Sequence, residues 1–456
     1  MSTTFLNSQN ETAEYLNNMD VRLLQTIKTQ EFSDINWGET RQIVIENFDG
    51  WIKDMTLKIE LPALITDDTL PIHTAGAGNI PTTGYINWVD SIGHAIIEGL
   101  EVELTGLTTK IVNMNFPYGH FLDIYNELND QLLNEWEQIG KNKTNDVLKI
   151  FQSNKVVLYV PLHLWFSRST ESAFPSFLFK NKENKLNIKL KIREYKNLII
   201  SSSTSNVPTS GIGKPKITLI YDIIKPDPNN RQQINKIEEL KKKFIKKPYE
   251  IIFDKYNYVA PFVATTNDFN IPLHETNPIK ELIFVMPVKK RTESSNNTTG
   301  FLINELITDI NGNDYFNYEN DTTISDLGGS NDAFKNLTLK INKEDFQSGA
   351  SKNLDAKYLR RHVPYYLYNK TPLKHIYVIN FSNLKYNNNN FNSKNIHSFL
   401  ENDDNDTLIN FKFDNLGDSP IEPKLCIILI KEINRLQIYT DKNNPRKIIL
   451  RYNQWK

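Results

Sequence analysis

Apolar and polar residues alternate strictly at several places along the chain. In MTLKIEL (55–61), Met55, Leu57, Ile59 and Leu61 fall on one side and Thr56, Lys58 and Glu60 on the other. LEVEL (100–104), LNIKLKI (186–192), LTLKI (337–341) and INFKF (409–413) repeat the pattern. A period of two with one wet face predicts antiparallel strands. Turn-rich polar stretches separate them, among them HTAGAGNIPTTG (73–84), SSSTSNVPTSGIGKP (201–215), DINGND (309–314), SDLGGSND (325–332) and KYNNNNFNSKN (385–395). Many short strands joined by long polar loops predict β-sandwiches or barrels.

Two segments change period. In 118–140, Phe121, Tyr125, Leu128, Leu132 and Ile139 recur at helical spacing, and Gly140 is placed to stop the helix. In 229–247, Ile234, Ile237, Leu240 and Phe244 mark a second helical stripe, with Pro226 and Pro228 before it and Pro248 after it. This basic helix lies near the midpoint of the chain and reads as a connector between two β-rich halves. Its lysines suit a solvated face better than a phosphate site. Both halves run strands, long loop, strands and terminal strand without a residue-level repeat, so two similar β domains of roughly two hundred residues each are expected.

Composition narrows the classes. The 456 residues suffice for two or three domains with a large core. A net charge of −1 supplies no global attraction to nucleic acid or to an anionic membrane. One cysteine, Cys426, excludes an intrachain disulfide and fits folding in a reducing compartment. The first residues are polar, with no apolar run of the secretory type, and LCIILI (425–430) is too short to span a bilayer. Asn, Lys and Ile are heavily used, as in A/T-rich coding, and an Asn-rich chain yields sequons such as Asn296-Asn297-Thr298 and Asn369-Lys370-Thr371 by chance.

Candidate chemistry concentrates in VPLHLWFSRSTESAFPSFLF (160–179), which holds His163, Ser167, Arg168, Ser169 and Glu171. If 156–166 is a strand, His163 and Ser167 share a face and could lie close together. A hydrolytic site would also need an oxyanion hole and an orienting acid, and there is no GxSxG elbow. The structural alternative is a core strand, VVLYVPLHLWF, a turn at 167–175 and the start of another strand, with the aromatics in the core and Arg168 capping or pairing locally. The eight histidines, His73, His94, His120, His163, His274, His362, His375 and His397, show no HxxxH or HExxH spacing, and Cys426 has no partner. GAGNIPTTG and GIGKPK lack phosphate-loop spacing, and Pro215 follows Lys214. No catalytic residue, cofactor or metal site is expected.

Eight blocks carry a family resemblance. FDGWIKDMTLKIELPAL (48–64), INWVDSIGHAIIEGLEVELTG (86–106), YGHFLDIYNEL (118–128), the 160–179 stretch and ITLIYDIIKPDPNNRQQI (217–234) stand in order in the first half. NPIKELIFVM (277–286), VPYYLYNKTPLKHIYVINFS (363–382) and LQIYT (436–440) follow in the second, the last two resembling late strands. In this order they resemble the double jelly-roll major capsid proteins of large icosahedral DNA viruses, the nucleocytoplasmic group and its relatives. Two features depart from that pattern. MDVRLLQTIKTQEFSDINW stands in place of an Asn-Pro-Gln-x-Thr-Phe-Phe arm, and LKYNNNNFNSKNIHSF in place of a Gln-Pro-Ser-Gly turn.

The resemblance implies an all-β chain of two consecutive eight-stranded antiparallel jelly rolls with short helices in loops. It divides into an N-terminal arm (1–40), a first roll (41–225), a connector helix (226–248) and a second roll with a C-terminal strand and tail (249–456). Leu57, Val102 and Leu190 would point into the core. It further implies a non-enzymatic structural protein of the virion, made in host cytoplasm. Its homotrimers would form pseudo-hexagonal capsomers that meet neighbouring capsid trimers, penton and minor capsid proteins and an internal membrane beneath the shell, without sequence-specific nucleic-acid binding. Loops 290–300 and 310–335 would form the outer crown. The tail DKNNPRKIILRYNQWK could pair within its own subunit or with a neighbour. The rival readings are a scaffold or minor capsid protein of the same fold, a glycan-binding β-sandwich and, last, a hydrolase.

Overall fold

The structure is a computed structural model. It describes residues 24–64, 86–89, 91–105, 107, 110–129, 138–140, 155–167, 172–180, 182–201, 212–264, 268–273, 279–285, 334, 336–341, 344–345, 353–372, 376–381, 407–414, 424–440 and 448–453. Its first half contains β1 (Leu24–Glu31), β2 (Thr40–Ile45), β3 (Trp51–Leu61), β4 (Ile86–Trp88), β5 (Ile97–Leu104), β6 (Lys110–Val112), β7 (Val156–Pro161), β8 (Leu186–Ile192), β9 (Ile199–Ser201) and β10 (Lys216–Lys225). Two four-stranded antiparallel sheets, β1-β10-β3-β7 and β2-β8-β5-β6, face each other, and β4 with β9 forms a separate ribbon. With the ribbon set aside and the strands renumbered from one to eight, the sheets read 1-8-3-6 and 2-7-4-5. That order is a jelly roll.

The second half repeats it. Its strands are β11 (Tyr249–Ala264), β12 (Asp268–Leu273), β13 (Ile279–Val285), β14 (Asn336–Ile341), β15 (Glu344–Asp345), β16 (Asn353–Asp355), β17 (Ile376–Asn380), β18 (Thr407–Asp414), β19 (Lys424–Thr440) and β20 (Ile448–Asn453). The sheets β11-β19-β13-β17 and β12-β18-β14-β15 give the same 1-8-3-6 and 2-7-4-5 order, with β20 added beside β19 and β16 beside β14. The tail strand β20 therefore pairs within its own chain, Arg435 opposite Asn453 and Thr440 opposite Ile448.

Alternation builds the cores. Met55, Leu57, Ile59 and Leu61 are buried while Thr56, Lys58 and Glu60 stay partly wet. Across the gap lie Leu100, Val102 and Leu104 of β5 and Ile188, Leu190 and Ile192 of β8, all buried. Each large aliphatic so buried stabilises the fold by about 1.5–3 kcal/mol. Phe284, Phe334, Tyr377 and Phe411 do the same work in the second roll, with Phe284 stacked on Tyr377 at 5.1 Å.

Besides a single helical turn at Ile92–Ala95, the described helices include α1 (Tyr118–Asn129), α2 (Arg231–Lys246) and α3 (Val363–Tyr368), the last preceded by a π-helical turn, Tyr358–His362. α1 buries Phe121, Tyr125 and Leu128 as the spacing predicted; Leu132 lies outside the described residues. Gly119 is required where α1 presses on the turn Ile92–Ala95: a Cβ there would meet the His94 carbonyl oxygen at 2.5 Å and that of Ile97 at 2.8 Å. α2 is capped by Asn230, whose side-chain oxygen accepts from the backbone N–H groups of Gln232 and Gln233 at 3.1 and 3.2 Å.

Several expectations change. Leu24–Glu31, inside the stretch read as an N-terminal arm, is a strand paired with β10 over its whole length. The buried stripe of α2 is Gln233, Ile237, Leu240 and Phe244, whereas Ile234 is exposed. Gln233 is buried because its side-chain oxygen accepts from the Asp227 backbone N–H at 2.8 Å and so closes the turn before the helix. The strand expected over 156–166 ends at Pro161, where proline removes a ladder donor. Trp165–Ser167 and Ser176–Leu178 are 3-10 turns, and no strand starts in 172–180. VPYYLY (363–368) is helical, with Pro364 in the first turn. The loop 290–300 and, apart from Phe334, the loop 310–335 lie outside the described residues.

Candidate functional site: the joint between the rolls and the outer faces

The aromatic run 160–179 is an interior packing element. Phe166, Phe174, Phe177 and Phe179 are fully buried, and Phe174 bridges to Ile52 through backbone hydrogen bonds of 2.8 and 2.9 Å. Phe174 stacks on Phe179 at 5.2 Å, and Trp51 packs on Phe177 at 5.0 Å. Trp165 stacks on Phe253 of the second roll at 4.9 Å. The stretch thus fills the first core and joins the two rolls.

His163 and Ser167 do come together, though not on a strand. His163 adopts φ 44, a left-handed conformation that lets the chain leave β7 for the Trp165–Ser167 turn. Its ring lies 4.6 Å from that of Tyr125. With Asp54, Thr56, Ile220 and Asp222 the two residues line a cavity of about 350 Å³. Burial pushes the Asp54 carboxyl above its usual range; Lys53 opposes this and Asp222 adds to it. The Ser167 hydroxyl oxygen is buried without a hydrogen bond, so no base is positioned on it, and the pair lacks the nucleophile–base contact of a hydrolytic site. Arg168, Ser169 and Glu171 lie outside the described residues. The fully buried His94 is a packing residue, with Nε2 3.1 Å from Asn126 and Nδ1 3.6 Å from Asp123. Among the described residues no group of three or more His, Cys, Asp or Glu is arranged to hold a metal, and no helix is long and apolar enough to cross a membrane.

The joint itself is built from both halves. Besides Trp165 on Phe253, Phe121 of α1 packs on Tyr256 of β11 at 4.9 Å. Asn184 holds the far end, accepting from Ile448 N–H at 2.9 Å and donating to the Thr105 carbonyl at 2.7 Å. α2 is tied to the first roll by Lys241, 2.6 Å from Asp49.

Beside the joint, the sheet carries buried charges. Lys431 lies 3.0 Å from Glu281 and donates to the Tyr368 hydroxyl at 3.3 Å; that hydroxyl donates to the other Glu281 oxygen. Lys280 donates to Asp254 at 2.9 Å. Burial alone would pull Lys431 down, but Glu281 and its other neighbours outweigh burial and hold it well above the usual lysine range. Burial wins at Lys280 and lowers it. Glu281 and Lys431 tie β13 to β19 and Lys280 ties β13 to Asp254 of β11, and removing one partner strands the other's charge. In the sequence they read only as polar positions within an otherwise apolar block.

Two outward surfaces stand out. Strand register places Ile27 of β1, Ile220 of β10 and Val157 and Tyr159 of β7 on one outer face of the first roll, and Ile27, Val157 and Tyr159 are exposed. Tyr358, Tyr365 and Tyr366 are exposed on the π turn and α3. On the first of these faces, register sets Lys58, Glu60 and Thr218 between the two edge strands.

Residues 23–234, just under half of the chain, match the family model described as "Major capsid protein N-terminus". Over 95% of its length the chain aligns with the capsid protein of the PBCV-1 virus capsid, covering 98% of that chain at a TM-score of 0.59 and 12% identity. It aligns with the Faustovirus major capsid protein over 92% of its length and 91% of that chain, at a TM-score of 0.56 and 11% identity. The chain therefore has the double jelly-roll fold of major capsid proteins of large icosahedral DNA viruses, as the ordered blocks implied. In sequence it is 25% identical over 169 residues to "Probable capsid protein 4" of Acanthamoeba polyphaga mimivirus and 21% identical over 271 residues to that virus's "Capsid protein 1". These matches take in 36% and 55% of the chain and span only 30% and 40% of the two relatives' own lengths.

Proposed function

We propose that the protein is a major capsid protein whose homotrimers form pseudo-hexagonal capsomers tiling an icosahedral shell. The supporting observation is the duplicated 1-8-3-6 and 2-7-4-5 strand order, with the two rolls fixed side by side through the Trp165–Phe253 joint. Two equivalent lobes per subunit give three subunits six lobes, which suits hexagonal tiling. On this reading the protein is structural rather than enzymatic, resides in the virion, is made in host cytoplasm and meets neighbouring trimers, penton and minor capsid proteins and an underlying membrane. Its domains run as arm, first roll, connector helix and second roll, with the first roll's first strand at Leu24.

The test is the mass and outline of the purified protein. A trimer with a hexagonal outline in electron microscopy is expected, and a monomer would favour a binding module. A scaffold of the same fold would be scarce in purified virions, where a shell protein is abundant.

A further inference from the structure

The two rolls share a strand order but differ in what covers them. Each has one sheet of order 1-8-3-6, β1-β10-β3-β7 in the first roll and β11-β19-β13-β17 in the second. Alternation gives such a sheet a core face and an outer face. In the second roll Phe284 packs on Phe411 of the opposite sheet, so its neighbours Ile283 and Val285 face outward. Both are buried, as are Val378 and Leu429, the register partners of Ile283. In the first roll the same face is open, and Ile27 is 64% exposed.

Part of the second roll's cover comes from the first. α1 lies between the fifth and sixth strands of the first roll and sets Phe121 on Tyr256 of β11 at 4.9 Å. Tyr256 stands opposite Lys431, in one row with Glu281 on the outer face. Two surfaces hold the matching places and stay exposed. The outer face at β1 corresponds to the face at β11 that α1 meets. The π turn and α3, between the fifth and sixth strands of the second roll, correspond to α1 and expose Tyr358, Tyr365 and Tyr366.

The charges on these two surfaces are complementary. Register sets Ile27 directly across from Asp222, and Asp54 lies at the register irregularity beside it. Lys53, 3.9 Å from Asp54, offsets one of these carboxylates. Farther along the face, Lys58 pairs with Glu60 at 2.7 Å and Lys216 with Glu31 at 3.5 Å. The π turn exposes Lys357, Arg361 and His362 beside the tyrosines. The acid next to them, Asp355, accepts from the Tyr358 backbone N–H at 2.9 Å.

We infer that the π turn and α3 of one copy dock on the outer face at β1 and β10 of a second copy, repeating between copies the contact that α1 makes on β11 within the chain. Tyr365 and Tyr366 lie against Ile27, and Arg361 faces Asp54 and Asp222. This rests on the proposal that copies assemble into capsomers, and it names the surfaces they use. Each copy gives its helix to one neighbour and its sheet to the other, so the contact closes into a ring.

The test reads the solution masses of the purified full-length wild type, two variants and an equimolar mixture of the variants. Ile27→Lys with Thr29→Lys spoils the sheet surface. Tyr365→Ala with Tyr366→Ala and Arg361→Glu spoils the helix surface. All five side chains are exposed, so both variants should melt close to wild type. If the triple variant does not fold, Arg361→Glu alone replaces it and should weaken assembly by about tenfold. The wild type is expected as a trimer and each variant as a monomer. The mixture should give a one-to-one dimer, because one intact helix meets one intact sheet and no ring can close. An assembled wild type with either variant assembled to the same mass, a mixture that stays monomeric, or a mixture that regains the wild-type mass would overturn the inference and leave the capsomer proposal standing. A monomeric wild type would overturn both.

Discussion

Glu101 shows how a residue on a wet face becomes a structural one. Alternation places it opposite the core-facing Leu100 and Val102, yet it is only 3% exposed. Lys189 from β8 reaches it at 2.7 Å, and Lys110 of β6 binds its other oxygen. Burial pushes the Glu101 carboxyl up, but the two lysines outweigh it and hold the group below its ordinary 4.5. Lys189 is raised above 10.5 by Glu101 and Glu103. The signs follow by linkage. Glu101 contributes stability above pH 4.5, lost as pH falls through its depressed value. Lys189 contributes below 10.5, lost as pH rises through its elevated value. Glu101→Gln should therefore destabilise the protein at neutral pH by about 1–2 kcal/mol, less than a fully buried pair because the lysines are partly solvated. Urea unfolding across pH checks this: the gap between wild type and variant should close as pH drops below 4.5.

At the scale of elements, α2 depends on its cap. Asn230 satisfies two of the N–H groups that a helix start leaves orphaned, and the last turn carries Lys243 and Lys246 against the negative end of the helix dipole. Asn230→Ala should cost about 1 kcal/mol in denaturant unfolding, and Asn230→Gly only a few tenths. Elements with a two-sided environment were legible in the sequence, namely β3, β5, β8, β14 and β18 and both long helices. Others were not. β1 shows only Leu24 and Ile27 among its apolar residues, and Ile27 faces outward, so the strand is defined by pairing with β10 rather than by pattern. The stretch 156–166 is apolar but for His163, which periodicity cannot divide between strand and turn, and Pro161 and the φ of His163 decide it. His163 and Ser167 were paired for the wrong geometric reason, through a tight turn and not a strand face.

At the scale of the molecule, two jelly rolls share one joint, and assembly has to use what remains outside. The outer face carrying Ile27, Val157 and Tyr159 is one candidate contact between copies. Replacing Val157 and Tyr159 together by lysine should leave the melting transition within about 0.5 kcal/mol of wild type, since both side chains are exposed. It should also reduce the solution mass from assembled to monomeric. Light scattering reads the outcome, and an unchanged mass would remove this face from the contacts.

The position of β19 in the chain governs the order in which the rolls can be completed during synthesis. Both sheets of the first roll are built from strands up to Lys225, so they can pair early, with Trp165 and Asn184 waiting for Phe253 and Ile448. The second cannot. Its first strand, Tyr249–Ala264, has to wait for Lys424–Thr440, its neighbour in the finished sheet. Throughout that interval a sixteen-residue strand offers open backbone to any similar strand nearby. In a cell making many copies at once, yield then depends on how quickly the ribosome carries the chain from Ala264 to Lys424.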